Sequence, residues 1–286
     1  MTADVFEAER PRLKRLAYRM LASVSDAEEV ARDAWLRWRA ADQAAIEEPA
    51  AWLTRVTTRL CLDRLKSAAR DRATYVGPWL PEPLVEDPAD PVERAEEVSV
   101  AFLLALQRLT PLERAVFLLR EVFEEDYAAI AEVLGREEGA CRKLAERARS
   151  HVAAAKPRFI VPPGEARRLA QAFMDAARRG DVEGFGRLLA DDCVLITDGG
   201  GKRSAALRPL VGREDILAFL RGIASRNPRS LAGVLRPARI NVAPGAIIDS
   251  PDGVQTVALE PGDDGRLAAI YIVRNPEKQK TLSRET

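Results

Sequence analysis

Residues 126–151, DYAAIAEVLGREEGACRKLAERARSH, constrain the fold more than any other stretch. Ile130, Val133 and Leu134 recur at helical spacing, so a first helix has one apolar face. Gly135 follows, a residue able to take positive φ and end that helix. Cys141, Leu144 and Ala148, at i, i+3 and i+7, give a second helix its buried side. Ala131 leaves room for the two helices to cross steeply. Arg142, Lys143, Arg147 and Arg149 fall on the opposite face, so the pattern predicts a helix-turn-helix whose second helix suits a major groove. An αα-hairpin with a merely solvated basic face meets the same pattern. Glu137, Glu138 and Glu146 lie among the bases, and Gly139 weakens the first turns.

The chain of 286 residues is long enough for two or three domains, and its formal charge is zero. No global basicity therefore argues for nucleic acid; only local clusters can. Residues 73–110 hold two arginines against seven acids, a net of −5 in a linker-like region. Cys61, Cys141 and Cys193 are far apart in apolar surroundings, which predicts reduced, buried thiols in a cytoplasmic protein. With His151 the lone histidine and no cysteine pair, no metal site and no cofactor are expected. No signal peptide and no bilayer-length apolar run is read, so no membrane partner is expected.

Residues 5–72 read as helix throughout. Leu13, Leu16, Ala17, Met20 and Leu21 form one stripe. A second helix is placed with Ser25 as N-cap and Glu28 completing a capping box. Its Val30, Ala34 and Trp38 face inward with Trp35 close by. Asp26, Glu28, Glu29 and Asp33 crowd its first half, which suits the positive end of the helix dipole and equally an acidic docking patch. Pro49 opens a third helix with Trp52 on it. There Arg55, Arg59, Arg64, Lys66, Arg70 and Arg72 face only Asp63 and Asp71, the strongest positive cluster in the chain. Thr54, Thr57 and Thr58 add neutral hydrogen-bonding groups. A solvated helix face explains this cluster; contact with a DNA backbone and a displaced base explains it too.

Residues 74–91 change character: Pro78, Pro81, Pro83, Pro88 and Pro91 favour extended, polyproline-like backbone. Tyr75, Trp79 and Leu80 are too apolar for a free tether, so this linker should dock. A helix over 92–109 leads to Thr110-Pro111, an N-cap with proline at N1. Residues 157–164, PRFIVPPG, mark a second boundary. Helices over 165–179 and 181–189 follow, then strand-like runs CVLIT, RINVA, AIID, QTVALE and LAAIYIV, with a helix over 213–225 after the first. Helices followed by an antiparallel sheet, with a turn at 261–265, read as α+β.

In this order the segments DAEEVARDAWLRW, PAAWLTRVTTRLCLDRLKSA and the helix-turn-helix resemble the extracytoplasmic-function sigma factors of bacterial RNA polymerase. The linker YVGPWLPEPL with DGGGK (198–202) and NPEK (275–278) is similar to the SigJ-type subgroup, which carries a SnoaL-like extension. The resemblance implies a multidomain chain. It has two all-α sigma domains, 1–73 and 92–156, joined by the linker and followed by an α+β SnoaL-like cone over 165–280. It implies that Asp26, Glu28, Glu29, Asp33 and Trp35 dock on the β′ clamp helices of core RNA polymerase, with the β flap a second polymerase contact. Promoter DNA would be bound by Trp52, Arg55, Arg59, Arg64 and Lys66 at the −10 element. Arg142, Lys143, Arg147 and Arg149 would read the −35 element. Two departures stand out: Arg32 where relatives often have glutamine, and Glu137-Glu138 where they often have small polar residues. Trp79, Leu80 and Pro81, Asp198, Gly199, Gly200, Gly201 and Lys202, and Asn275, Pro276 and Lys278 would form a regulatory interdomain contact that controls the sigma core in cis.

The tail offers no catalytic residue that the sequence can name. It has no histidine, and GGGK lacks phosphate-loop spacing because Arg203 follows Lys202. An unidentified small-molecule ligand in the cone is compatible with such a fold, which alone does not settle activity. The competing reading is a helix-turn-helix regulator with a sensing or enzymatic tail. Such a protein has no use for an acidic helix followed by a basic, tryptophan-bearing one.

Overall fold

The computed structural model describes residues 2–86, 98–153, 163–226 and 233–279. It forms two compact units, one of 1–74 with 101–156 and one of 75–100 with 157–286. The expected helix start over 92–97, Pro88 and Pro91 of the linker, and the PRFIVP segment fall outside the described residues.

In the first unit, α1 (Thr2–Leu21), α2 (Val24–Ala40) and α3 (Pro49–Ala73) pack on one another. Leu13, Leu16, Met20, Trp38 and Leu53 are fully buried; each such side chain contributes roughly 1.5–3 kcal/mol. The cap of α2 is Ser23, whose hydroxyl accepts from the Asp26 N–H at 3.1 Å, and not Ser25. Ala22 takes a left-handed φ of 55°, so the chain has already turned when it reaches Ser23. After α4 (Val100–Gln107) comes α5 (Pro111–Glu121), with the full capping box of Thr110 and Glu113. The helix-turn-helix is α6 (Tyr127–Leu134) and α7 (Glu138–Ala153), broken at Gly135 with φ 62°. Ala145, rather than Leu144, joins Cys141 and Ala148 in the core. Helices α1 and α3 pack on α5, and α3 on α6, so the two helical segments make one body.

The second unit is α+β, as the SnoaL-like resemblance implied. Helices α8 (Pro163–Arg179), α9 (Val182–Leu188) and α10 (Arg213–Arg226) contribute Phe173, Phe185 and Leu217 to a core shared with Leu195, Val257 and Ile270 of the sheet. The sheet comprises β1 (Val85–Glu86), β2 (Leu189–Asp198), β3 (Leu210–Val211), β4 (Val234–Ile240), β5 (Ala243–Ser250), β6 (Gly253–Pro261) and β7 (Leu267–Val273). Its order is β1-β4-β5-β6-β7-β2-β3. The sheet is mixed, not purely antiparallel, because β2 runs parallel to β7. The RINVA run is not one strand either: β4 ends at Ile240, and Asn241 and Val242, at φ 49° and 61°, make a two-residue turn into β5. Both residues with positive φ mark the type I′ turn that matches strand twist, in which a β-branched valine is strained.

Glu260 on β6 is half-buried, and burial pushes its carboxyl up to about 7 from an ordinary value of 4.5. A carboxyl raised on folding gives its full stability below the ordinary value and loses it as pH rises through about 7. Glu260→Gln is expected to stabilise the protein at pH 8 by about 1–2 kcal/mol and to change little at pH 5. Thermal unfolding of both proteins at the two pH values checks this. An equal effect at both would remove the titration as its cause.

Candidate functional site

The acids of α2 are held by a single cation. Arg64, reaching from α3, contacts Asp26 at 3.2 Å, Glu29 at 2.8 Å and Asp33 at 3.2 Å. Its hydrogen bond holds the Glu29 carboxyl below the usual range. Glu28 pairs with Lys14 at 3.6 Å, and the half-buried Trp35 ring packs on Phe6 with centroids 5.0 Å apart. Three carboxylates one helical turn apart thus share one guanidinium, an arrangement that keeps a row of negative charge ordered at the surface. Sequence spacing put Arg64 among the DNA-facing bases; the fold sets it instead on the acidic face.

The remaining bases of α3 divide. Arg55 pairs with Glu132 of α6, and Arg59 Nε donates to the Val133 carbonyl at 3.4 Å. Lys66 is exposed beside Asp63 at 3.0 Å. Trp52 is half-buried against Trp38, centroids 5.6 Å apart. Thr54, Thr57 and Thr58, the neutral hydrogen-bonding groups of this helix, are buried and so do not add to its exposed basic face. Thr54 instead receives a 2.7 Å hydrogen bond from Arg12, whose guanidinium also reaches Glu125 at 2.5 Å between α5 and α6. Arg114 is buried and donates to the Met20 carbonyl at the end of α1 at 2.6 Å. Burial, with Arg72 nearby, pushes Arg114 down to about 9. Arg12, Arg55, Arg59 and Arg114 together tie the α5–α6 segment to α1 and α3.

On α7, Arg142 pairs with Glu138 and lies 4.9 Å over the Tyr127 ring. Arg149 bonds Glu121 and the Tyr127 hydroxyl, both at 2.9 Å. Arg147 sits 3.6 Å from Glu113. Lys143 is exposed, and no described residue pairs with it.

In the second unit one carboxylate gathers three segments. Asp198, at the end of β2, is fully buried. It accepts from the Tyr75 hydroxyl at 2.5 Å, the Leu80 N–H at 2.8 Å and Lys278 Nζ at 2.7 Å. Lys278 also donates to the Leu80 carbonyl and lies 4.0 Å over the Trp79 ring. Asn275 donates to Tyr75 at 2.9 Å, and the Asn275 N–H bonds the Asp198 carbonyl at 3.0 Å. Burial first, and then the Asp198 carboxylate, raise the Tyr75 hydroxyl well above its usual range, so it remains a donor. Lys202 pairs with Glu277, which follows Pro276 in the short turn capped by Asn275. Gly200 has φ 59°, and a Cβ there would strike the Asn275 amide; one on Gly199 would strike the Arg203 carbonyl. Leu80 and Pro81 are buried, and the linker runs on into β1, which pairs Val85 with Ile240.

The structure thus brings Trp79 and Leu80 of the linker together with Asp198, Gly200 and Lys202 of DGGGK and Asn275 and Lys278 of NPEK. It adds Tyr75 and Asn241, whose Oδ1 accepts from the Leu84 N–H at 3.1 Å. Tyr75 was visible only as an apolar residue of the linker. Asn241 carried no signal beyond its suitability for a turn. Among the described residues, no group of side chains could hold a metal ion, and no helix is long and apolar enough to cross a membrane.

Comparison with known proteins identifies two segments of the helical unit. Residues 5–71 match the family model Sigma-70 region 2, and residues 99–152 match Sigma-70, region 4. The chain is 37% identical over 291 aligned positions to the ECF RNA polymerase sigma factor SigJ of Mycobacterium tuberculosis, covering 97% of this chain and 93% of that one. It is 32% identical over 282 positions to a probable ECF RNA polymerase sigma factor, SigI, of the same organism, covering 90% and 94%. The crystal structure of the M. tuberculosis SigJ protein superposes with a TM-score of 0.78 at 33% identity, covering 97% of this chain and 98% of that one.

Proposed function

The chain belongs to the extracytoplasmic-function RNA polymerase sigma factors, and from that premise we propose how its surfaces divide the work of starting transcription. It works with core RNA polymerase and promoter DNA. The acidic row of α2, with Trp35, docks on the β′ clamp helices, and Arg64 keeps that row ordered until basic residues of the clamp replace it. Trp52, Arg55, Arg59 and Lys66 serve the −10 element, where an unstacked base needs an aromatic face and its backbone needs cations. Helix α7 enters the major groove at −35 with Arg142, Lys143, Arg147 and Arg149. The β flap receives the helix-turn-helix segment.

The second unit regulates this core in cis. The observation that carries this reading is the fully buried Asp198 carboxylate. It binds the linker through Tyr75 and Leu80 and its own domain through Lys278. The clasp holds residues 75–86 of the linker on the second unit, which favours the closed helical body in which α6 occupies Arg55 and Arg59. Run-off transcription with core polymerase tests it: variants that open the clasp should change promoter output without changing the folding of α1–α3.

Lys143 gives a separate test of the −35 assignment. Because it is exposed and unpaired, Lys143→Ala removes a phosphate contact without disturbing the fold. Binding to a −35 duplex should weaken by about tenfold, and the salt slope should fall by about 1. A titration over salt concentration reads both, and an unchanged slope would take Lys143 off the DNA.

A further inference from the structure

Between the sheet and α8, α9 and α10 lies a cavity of about 150 Å³. We infer that it is an effector site for a single-ring hydrophobic carboxylate, and that its occupant acts on the linker clasp. The second half of that statement rests on the cis-regulatory reading above.

The size is that of a cavity which takes one benzene-sized molecule. Phe173 and Phe185 meet edge to face at 5.3 Å, and Phe219, Ile223 and Ile270 close the apolar part. A ring fits such walls through offset and edge contacts. The polarity lies at one end. Across the sheet, β5 and β6 set Ile248 beside Gln255, and β6 and β7 pair Thr256 with Val273, the residues next to Gln255 and Arg274. Gln255 is nine-tenths buried and lines the cavity, and its side-chain amide makes no hydrogen bond with any described residue. An amide with no protein partner at the wall of a cavity is free to bond a ligand there.

Arg274 stands beside it with most of its side chain buried. It donates to the Ser204 carbonyl and lies 3.6 Å from Asp252, leaving further guanidinium N–H groups. Burial disfavours its charge, and Arg203 adds a second cation nearby. Asp252 meets the guanidinium from outside the cavity lining, so an anion inside the cavity is the partner that this end can still take. The lining's one acid, Asp181, is occupied: its carboxylate caps α9 through the Gly184 N–H at 2.7 Å. The chemistry is that of binding a carboxylate beside an amide, with a ring behind it.

The pleat connects this cavity to the clasp. Side chains alternate along a strand, so Thr197 faces the cavity and its neighbour Asp198 faces the linker. At the end of β7, Arg274 lines the cavity and Asn275 reaches Tyr75. Both backbone N–H groups, of Arg274 and Asn275, donate to the Asp198 carbonyl, at 2.7 and 3.0 Å. A ligand that shifts Arg274 therefore shifts the peptide that holds Asp198 and Asn275.

Titrate the full chain calorimetrically with benzoate and with toluene, a neutral probe of the same shape. Follow Trp79 emission as the difference from Trp79→Phe. Benzoate should bind at least tenfold tighter than toluene. Gln255→Leu, which keeps the shape, should erase that advantage while leaving toluene within threefold. Ala177→Met, which fills the cavity, should weaken both, and benzoate should change the Trp79 signal. No benzoate binding, or binding indifferent to Gln255→Leu, overturns the inference and leaves the clasp reading intact, since that is read from linker variants in transcription. Binding with a silent Trp79 overturns the coupling, and the site is then no effector site.

Discussion

Asp198→Asn is expected to open the linker clasp by more than a hundredfold. The carboxylate is fully buried and paired with Lys278 at 2.7 Å. Removing one partner of a buried ion pair leaves the other charge uncompensated, at about 3–5 kcal/mol. Each 1.4 kcal/mol is a factor of ten. Asparagine keeps the volume, so packing around Leu80 survives and the loss is electrostatic. Proteolysis in the linker should accelerate, and promoter-dependent output with core polymerase should change several-fold. Lys278→Met removes the other charge, and because it does so at the same contact, the double variant should fall well short of the summed effects. If the linker is freed but output stays level, the clasp has no regulatory role.

The second large effect concerns the joint within the helical unit. Arg12 holds Thr54 of α3 and Glu125 ahead of α6 with two charge-assisted hydrogen bonds, both half-buried. Each is worth about 1.5–3 kcal/mol. By contrast the pair of Arg55 with the exposed Glu132 stays below about 1 kcal/mol. Arg12→Ala should therefore loosen the joint where Glu132→Gln does not. If α6 blocks the −10 reader, Arg12→Ala raises affinity for a single-stranded −10 oligonucleotide by roughly tenfold, since 1.4 kcal/mol of released restraint is enough. Fluorescence anisotropy reads it. Glu125→Gln, which changes no base facing DNA, should act in the same direction. Unaltered affinity in both would mean that the closed body does not occlude Arg55 and Arg59.

Local rules made much of the helical unit legible. Thr110-Pro111 and Gly135 do what their chemistry demands wherever they stand, and the stripes of α1 and α6 report their own burial. Ser23 and Ser25 were indistinguishable because both can cap; the turn at Ala22 decided between them, and φ 55° on an alanine is not written in composition. The destination of Arg64 was hidden for a different reason. Helical spacing says which residues share a face but not which neighbouring helix meets it, so the acids of α2 were seen and their partner was not. In the tail, RINVA hid its turn because Val242 is a strand-former forced into a left-handed conformation. The parallel pairing of β2 with β7 depends on partners about 75 residues apart, where no local signal reaches. The clasp segments were recognisable as motifs, yet their common centre, one carboxylate serving linker and tail together, exists only in three dimensions. The polar end of the cavity likewise arises from register, since Gln255 lies on β6 and Arg274 directly follows β7.

Amide hydrogen exchange of the linker peptide that contains Leu80 tests the central claim most directly. In the free protein its N–H is buried on Asp198 and should exchange slowly. On adding core polymerase and promoter DNA, it should exchange at least tenfold faster, because engagement of both promoter elements releases the linker. Protection at Leu80 that persists unchanged in a transcribing complex would contradict the account.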